Sequence, residues 1–189
     1  FSAGGGNLNG FNWLPTYYLI YIMPVAGSGQ IGLGFKSFET KYNEITLSSE
    51  QTISISQGFN LQKDKNSHLA IGYTANFVRW DLGSSAGYSG DGSDGLILGS
   101  LNTVAFDFGI IGSLRQKYRF GVAVKNLNSS ALGKGISRYI LPRRIDVGIT
   151  YSPSSELSTS IVYENLLGKD DMQIKGAINL KLNSSLEIF

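Results

Sequence analysis

The chain has no cysteine, and its 189 residues contain a single histidine, His68. Disulfides, thiolate metal sites, iron–sulfur clusters and thiol nucleophiles are therefore excluded, as is a multi-histidine metal centre within one chain. Proline is scarce, at 4 residues, and only 16% of residues are charged, against about 25% in an average soluble domain. The net charge of +2 gives no electrostatic ground for nucleic acid as a partner. Long apolar runs are missing too. Tyr17–Val25 is too short for a membrane-spanning helix and holds Pro24 near its end. A closed barrel stays open as a possibility, because it satisfies every backbone group without a helix. The chain begins at Phe1 without a charged n-region, which reads as a mature or trimmed chain.

What is present is glycine, at 24 residues, aromatic residues, at 12%, and alternation. Val104, Phe106, Phe108 and Ile110 share one face against Ala105, Asp107 and Gly109. Tyr118, Phe120, Val122 and Val124 oppose Arg119, Gly121, Ala123 and Lys125. Ile145, Val147, Ile149 and Tyr151 oppose Arg144, Asp146, Gly148 and Thr150, and the pattern repeats from Met172 to Leu182. This is strand periodicity with no helical period. It predicts ten strands, at 16–25, 30–38, 45–61, 67–82, 98–112, 117–127, 142–151, 157–166, 171–182 and 185–189. Most are near the roughly 9–11 residues that a tilted strand needs to cross a bilayer.

Short connections (AGSG, QKDKN, SLRQ, SPSSE, NSS) alternate with mostly longer ones (ETKYNE, residues 83–97, residues 128–141, LGKD). That parity suits an all-β, antiparallel up-and-down transmembrane barrel, with short periplasmic turns and longer outer loops. One strand face is nearly all apolar. The other carries small residues and both signs of charge: Arg79, Asp81, Asp107, Arg119, Lys125, Arg144, Asp146, Glu164 and Lys175. On the barrel reading the apolar set faces lipid and the charged set faces the lumen. Tyr118, Tyr151 and Trp80 are then candidates for an interfacial aromatic girdle. A soluble barrel or sandwich with its apolar face inward is the alternative.

Chemical motifs are thin. Gly27-Ser28-Gly29-Gln30-Ile31-Gly32 spells G-x-G-x-x-G, but a dinucleotide site needs a helix after it, and strand alternation follows instead. A glycine-rich hairpin turn explains it better. Gly83-Ser84-Ser85-Ala86-Gly87 fits G-x-S-x-G, yet His68 precedes it and no helix follows. The acidic SGDGSDG at 89–95 lacks EF-hand spacing. Asp146 and Glu164 could be paired catalytic carboxylates, but Arg144 and Lys175 on the same face make ion pairs the simpler reading. His68 reads as solvated. Asn128-Ser129-Ser130 and Asn183-Ser184-Ser185 are short acceptor sequons of a kind common by chance. No catalytic, cofactor or metal set converges, so a non-enzymatic protein is expected.

The second half carries a more specific pattern. It holds a strand ending in Asp107-Phe108-Gly109, then Gly121-Val122-Ala123-Val124-Lys125-Asn126-Leu127, then Leu141-Pro142 before a strand with Gly148. With YRFGVAVKNL, YILPRRIDVGITYSP and QIKGAINLKLNSSLEIF, this resembles the PorV/PorQ-type outer-membrane barrels, which are related to FadL transporters. SHLAIGYTANFVRWDLG is similar to an earlier strand of such barrels. The resemblance covers residues 100–189 well and 13–100 loosely. It implies a bacterial outer-membrane barrel of about fourteen strands, of which this chain, as one domain over 1–189, shows ten. One or both ends are thus expected to be missing. The Asn-Pro-Ala segment and helical plug of such barrels are not seen. The ending SSLEIF reads as the start of another strand, or Phe189 as a terminal targeting aromatic.

Two roles follow from the resemblance. PorV-like members act with type IX secretion, receiving or anchoring cargo at the surface, whereas FadL-like members admit hydrophobic small molecules. The sequence shows no conspicuous hydrophobic lumen track. The expected function is therefore a surface scaffold or secretion partner contacting lipid and other secretion or surface proteins. The alternatives are a hydrophobic-solute channel and a soluble β-rich assembly module.

Overall fold

A computed structural model describes residues 1–27, 29–42, 45–85, 87–90, 94–135, 138–183 and 186–188. The main sheet has eleven strands: β1 (Ser2–Asn7), β2 (Pro15–Val25), β3 (Gly29–Tyr42), β4 (Ile45–Lys63), β5 (Ser67–Asp81), β6 (Ser100–Leu114), β7 (Tyr118–Lys125), β10 (Arg143–Tyr151), β11 (Leu157–Leu167), β12 (Asp171–Asn183) and β13 (Leu186–Ile188). The intervening β8 (Ala131–Leu132) and β9 (Tyr139–Ile140) form a separate two-stranded ribbon in the long loop after β7. Every sheet neighbour is the next main strand in the chain, and every pairing is antiparallel. The sheet is an up-and-down meander that does not close on itself, with β1 and β13 at its edges. No described helix is long and apolar enough to cross a membrane.

All ten strands expected from alternation form, with shifted ends. The ETKYNE stretch differs most. It was expected as a loop, but β3 and β4 continue through it with a register shift at Thr40/Lys41, leaving only Asn43 and Glu44 outside the described residues. β7 stops two residues early because Asn126 turns into the left-handed region, at φ 54°.

Strand β1 was not anticipated. Its sequence, SAGGGN, has three consecutive glycines and no large apolar side chain from which to read a period. It is held by pairing to β2, where Gly4 and Gly5 lie opposite Tyr18 and Tyr17. A Cβ on Gly4 would stand 2.6 Å from the Tyr18 ring, and one on Gly5 2.7 Å from Tyr17. The tyrosines lie over an edge that glycine leaves bare, as aromatic side chains do beside edge glycines.

The opening glycine motif is a hairpin. Val25 pairs with Gly29, and Gly27 and Gly29 take φ 76° and 80°. A Cβ on Gly29 would also come within 2.2 Å of the Gly58 carbonyl. The motif thus answers a turn and a close approach to β4, with strand rather than helix after it.

The two faces differ as the alternation requires, but the apolar face is the exposed one. Phe106 is 48% exposed while its neighbour Ala105 is 5% exposed. Ile53, Phe77, Phe120, Ile149, Ile161 and Ile174 extend this exposed apolar surface from β4 to β12. Among the described residues, Ala105 and Leu132 are the only buried hydrophobic side chains. Among the described residues the sheet encloses no apolar core.

Candidate functional site

The polar face is built by register. Ser54 of β4 lies opposite Asn76 of β5, Asn76 opposite Ala105, and Thr74 opposite Asp107 of β6. Ala123 of β7 lies opposite Asp146 of β10, and Asp146 opposite Glu164 of β11. Side chains link this row. The Ser54 hydroxyl donates to Asn76 Oδ1 at 2.7 Å, and Asn76 Nδ2 donates to Asp107 Oδ2 at 2.8 Å. Arg144 reaches Asp146 at 3.0 Å and Glu164 at 3.5 Å, and Lys175 of β12 holds the other Glu164 oxygen at 2.8 Å. The suspected carboxylate pair is thus an ion-paired network. Such a network neutralises charge on a face that β-pleating separates from the apolar one.

Seven of the nine charged residues expected on this face lie on it: Asp107, Arg119, Lys125, Arg144, Asp146, Glu164 and Lys175. Lys125 lies opposite Arg144, while Arg119 stands apart at the turn end, opposite Thr150. Arg79 and Asp81 are placed differently. They share the face of Tyr73 and Phe77, opposite Asn102 and Ser100, and pair with each other at 3.7 Å. The strand runs past the apolar band there, so its outer positions turn polar, as Glu39 and Lys41 do at 2.8 Å in β3. Alternation counted within one strand did not show where that band ends.

Of the three girdle candidates, Tyr118 and Tyr151 pair across β7 and β10 and stack with centroids 5.0 Å apart on the apolar face. Trp80 lies on the polar face at the other end of the sheet. Its indole N–H donates to Ser48 Oγ at 2.9 Å, and its ring meets Tyr139 edge-on at 6.2 Å. It does not join the tyrosine pair.

Asn126 is the junction that sequence reasoning passed over. Its backbone N–H donates to Asp107 Oδ1 at 2.8 Å. Its side-chain amide donates to the Leu141 carbonyl at 2.5 Å, and its Oδ1 accepts from the Ser130 N–H at 2.9 Å and hydroxyl at 2.6 Å. Asn126 is 5% exposed and Ser130 7%. The Asp107-Phe108-Gly109, Lys125-Asn126-Leu127 and Leu141-Pro142 fragments therefore meet at one buried residue, Asn126, whose backbone N–H holds Asp107 and whose side chain holds Leu141. Asn128 extends the β6 ladder, accepting from the Phe106 N–H at 3.1 Å and donating to the Val104 carbonyl at 2.8 Å. Its amide is committed to the sheet.

The other motifs resolve locally. Ser85 Oγ accepts from the Leu96 N–H at 2.9 Å, while His68 opens β5 at the opposite end and its ring meets Asn60 Oδ1 at 2.6 Å. Asp94 closes a turn, taking the Ser89 hydroxyl at 2.6 Å and the Tyr88 N–H at 3.2 Å. Residues 91–93 of that acidic stretch lie outside the described residues, as do Ser184, Ser185 and Phe189. Among the described residues no group of acids and histidine is arranged to hold a metal ion.

The polar face also carries an apolar strip. Tyr18, Ile20 and Ile22 of β2 lie opposite Lys36, Gly34 and Gly32 of β3 and are exposed. Ile22 borders a cavity of about 960 Å³ lined by residues from β2 to β10, including Ser56, Thr74, Asp107 and Asp146.

An open antiparallel meander with an exposed apolar face and an ion-paired polar face has the architecture of a β-barrel wall. Compared with known families, residues 9–188 match the type IX secretion system membrane protein family PorP/SprF. The chain belongs to this family of membrane proteins. No curated protein matches it.

Proposed function

We propose that the protein is a non-enzymatic outer-membrane β-barrel that serves type IX secretion as a scaffold, binding other proteins of the system or its cargo. The observation that carries this is the exposed apolar face running from β2 to β12, set against a polar face with a linked chain of ion pairs. In a bilayer the apolar face meets lipid, the stacked Tyr118 and Tyr151 lie at one interface, and the charged face lines the interior. The edge strands β1 and β13 carry unpaired backbone groups, which lipid does not tolerate, so the sheet closes in the membrane. The three fragments that meet at Asn126 are those on which the resemblance to PorV/PorQ-type barrels rests, and that resemblance favours the same reading.

A channel for hydrophobic solutes is the second reading, favoured by the Tyr18–Ile20–Ile22 strip beside the cavity. Fractionation and flux test both. The expected result is recovery with outer membranes, extraction only by detergent, and no uptake of hydrophobic solutes by liposomes holding the purified protein. Recovery from buffer alone would overturn the membrane assignment, and clear flux would replace scaffold with channel.

A further inference from the structure

Charge is distributed unevenly along the strands. The ion pairs among the described residues, from Lys41–Glu39 to Lys175–Glu164, lie away from the short-turn end. At that end stand Lys63, Lys65, Arg115, Lys117 and Arg119. None of these five has an ion pair or side-chain hydrogen bond among the described residues. Two acids stand among them: Asp64, taken up by Gln62 at 2.5 Å and Ser67 at 3.3 Å, and Glu156, which lines a cavity with Arg115, Lys117 and Arg119 without an ion pair to them. Leaving like charges side by side costs free energy, and neutral residues would avoid that cost.

The turns that carry these cations are tied to one another. The Arg115 N–H donates to the Asn66 carbonyl at 2.5 Å, and the Ser152 N–H donates to the Lys117 carbonyl at 2.7 Å. Arg115 and Gln116 hold φ 52° and 56°, a left-handed pair for which glycine and asparagine are the usual residues. Strain of this kind persists where the surroundings or a function require it.

Behind the cations and a row of Asn60, Ala70 and Ile111, the next row of the polar face carries only small residues. Gly58, Gly72, Gly109 and Ala123 stand in one row across β4, β5, β6 and β7. At about 4.8 Å per strand the row is roughly 14 Å wide. Gly121 and Gly148 are paired beside it. None of these glycines has a positive φ, and a Cβ on Gly58, Gly109 or Gly121 would meet nothing nearer than 3.7, 3.6 and 3.8 Å respectively. A Cβ on Gly72 or Gly148 would come closer, 3.3 Å from the Gln57 carbonyl and 3.4 Å from Val162, but at Gly58, Gly109 and Gly121 neither a turn nor packing within the sheet calls for glycine. Glycine inside a strand weakens it and marks a place where a ligand or another backbone comes close. The floor lines the 960 Å³ cavity, and Lys63 and His68 border both that cavity and a second one of about 420 Å³ that also contains Arg119.

We propose that the short-turn mouth of the polar face is a docking site for an extended acidic segment of a protein partner. Its carboxylates would meet Lys63 and Arg119, and its backbone would lie against the glycine floor. The inference rests on the secretion-partner reading given above. A peptide is favoured over lipid headgroups because Arg119 shares the face of Ser113 and Thr150, and Lys63 lies opposite His68. Both cations thus face away from the apolar surface that would meet lipid.

The test uses the full chain in detergent micelles and a fluorescent peptide of alternating Glu and Ser, with a Gln/Ser peptide as control. The expected result is binding of the acidic peptide only, weakening as salt rises. Lys63→Gln with Arg119→Gln should weaken it at least tenfold, and Lys134→Gln with Lys169→Gln, at the other end, should leave it unchanged. Gly109→Val should weaken it while heat-modifiable migration shows the sheet still folds. Absence of binding, equal loss in the far-end variant, or a Gly109→Val protein that binds normally would each overturn the proposal. So would anionic vesicles that bind through Lys63 and Arg119 when the acidic peptide does not. A protein that fractionates with membranes yet ignores the peptide overturns the docking site alone. A protein recovered from buffer without detergent overturns the underlying reading.

Discussion

Asn126 joins separated stretches through its backbone N–H, which holds Asp107, and its side-chain amide, which holds Leu141 and Ser130. Its left-handed backbone at φ 54° suits asparagine or glycine, so Asn126→Gly keeps the turn and removes only the side chain. That variant should lose about 2–4 kcal/mol, from hydrogen bonds worth about 1 kcal/mol each and a part-buried Leu141 carbonyl left without its donor. Urea unfolding from micelles would measure this, and a loss under about 0.5 kcal/mol would deny the junction its role. Asp94 gives a pH signal in the loop between β5 and β6. The Ser89 hydroxyl, then the Ser89 and Tyr88 amides, hold its carboxyl below the ordinary value of 3.8. A depressed carboxylate contributes its order fully above that ordinary value and loses it as pH falls through the lower one. The Ser89 amide resonance should therefore stay constant from neutral pH down to the ordinary carboxylate range and shift only below it. In Asp94→Asn that shift should vanish; a shift that persists would assign the titration to another group.

At the scale of elements, turns and edges set the shape. The β6–β7 turn places two non-glycine residues at positive φ, so Arg115→Asn with Gln116→Gly should raise stability by about 1 kcal/mol. If the docking site is real, the same variant should bind the acidic peptide less well, which separates folding from function. Strand β1 depends on its bare glycines. Gly4→Val would push into the Tyr18 ring and should free β1 from β2. Hydrogen exchange should then rise across residues 2–7 while β5 and β6 stay protected. Uniform exchange throughout the sheet would show instead that β1 is not a separable edge.

For the whole molecule, the exposed apolar face decides its solvent. Val147 is 37% exposed and lies in the middle of β10, between Tyr163 and Val122 on the neighbouring strands. On the membrane reading, Val147→Arg should cost roughly 2–4 kcal/mol of folding into a bilayer. Gly148→Ser, one residue away on the polar face, should cost much less. Equal costs would mean that the two faces meet the same solvent. Closure of the edges should show as a folded band that migrates differently from the heated one on a gel.

Alternation by itself located ten strands and the antiparallel meander, because side-chain period and turn chemistry are local properties; the parity of short and longer connections held only in part, since β3 and β4 run to within two residues of each other. It also placed Arg144, Asp146, Glu164 and Lys175 on one face, since pleating makes that assignment strand by strand. Other features depended on register between strands, which no single strand encodes. Register put Arg79 and Asp81 beyond the apolar band and turned Trp80 to the polar side. It drew Asp107, Asn126 and Leu141 into one buried junction and aligned glycines from three strands into a floor. β1 has no pattern to read and exists because β2 offers it hydrogen bonds. The tertiary structure decided these points because each is a contact between residues far apart in the chain.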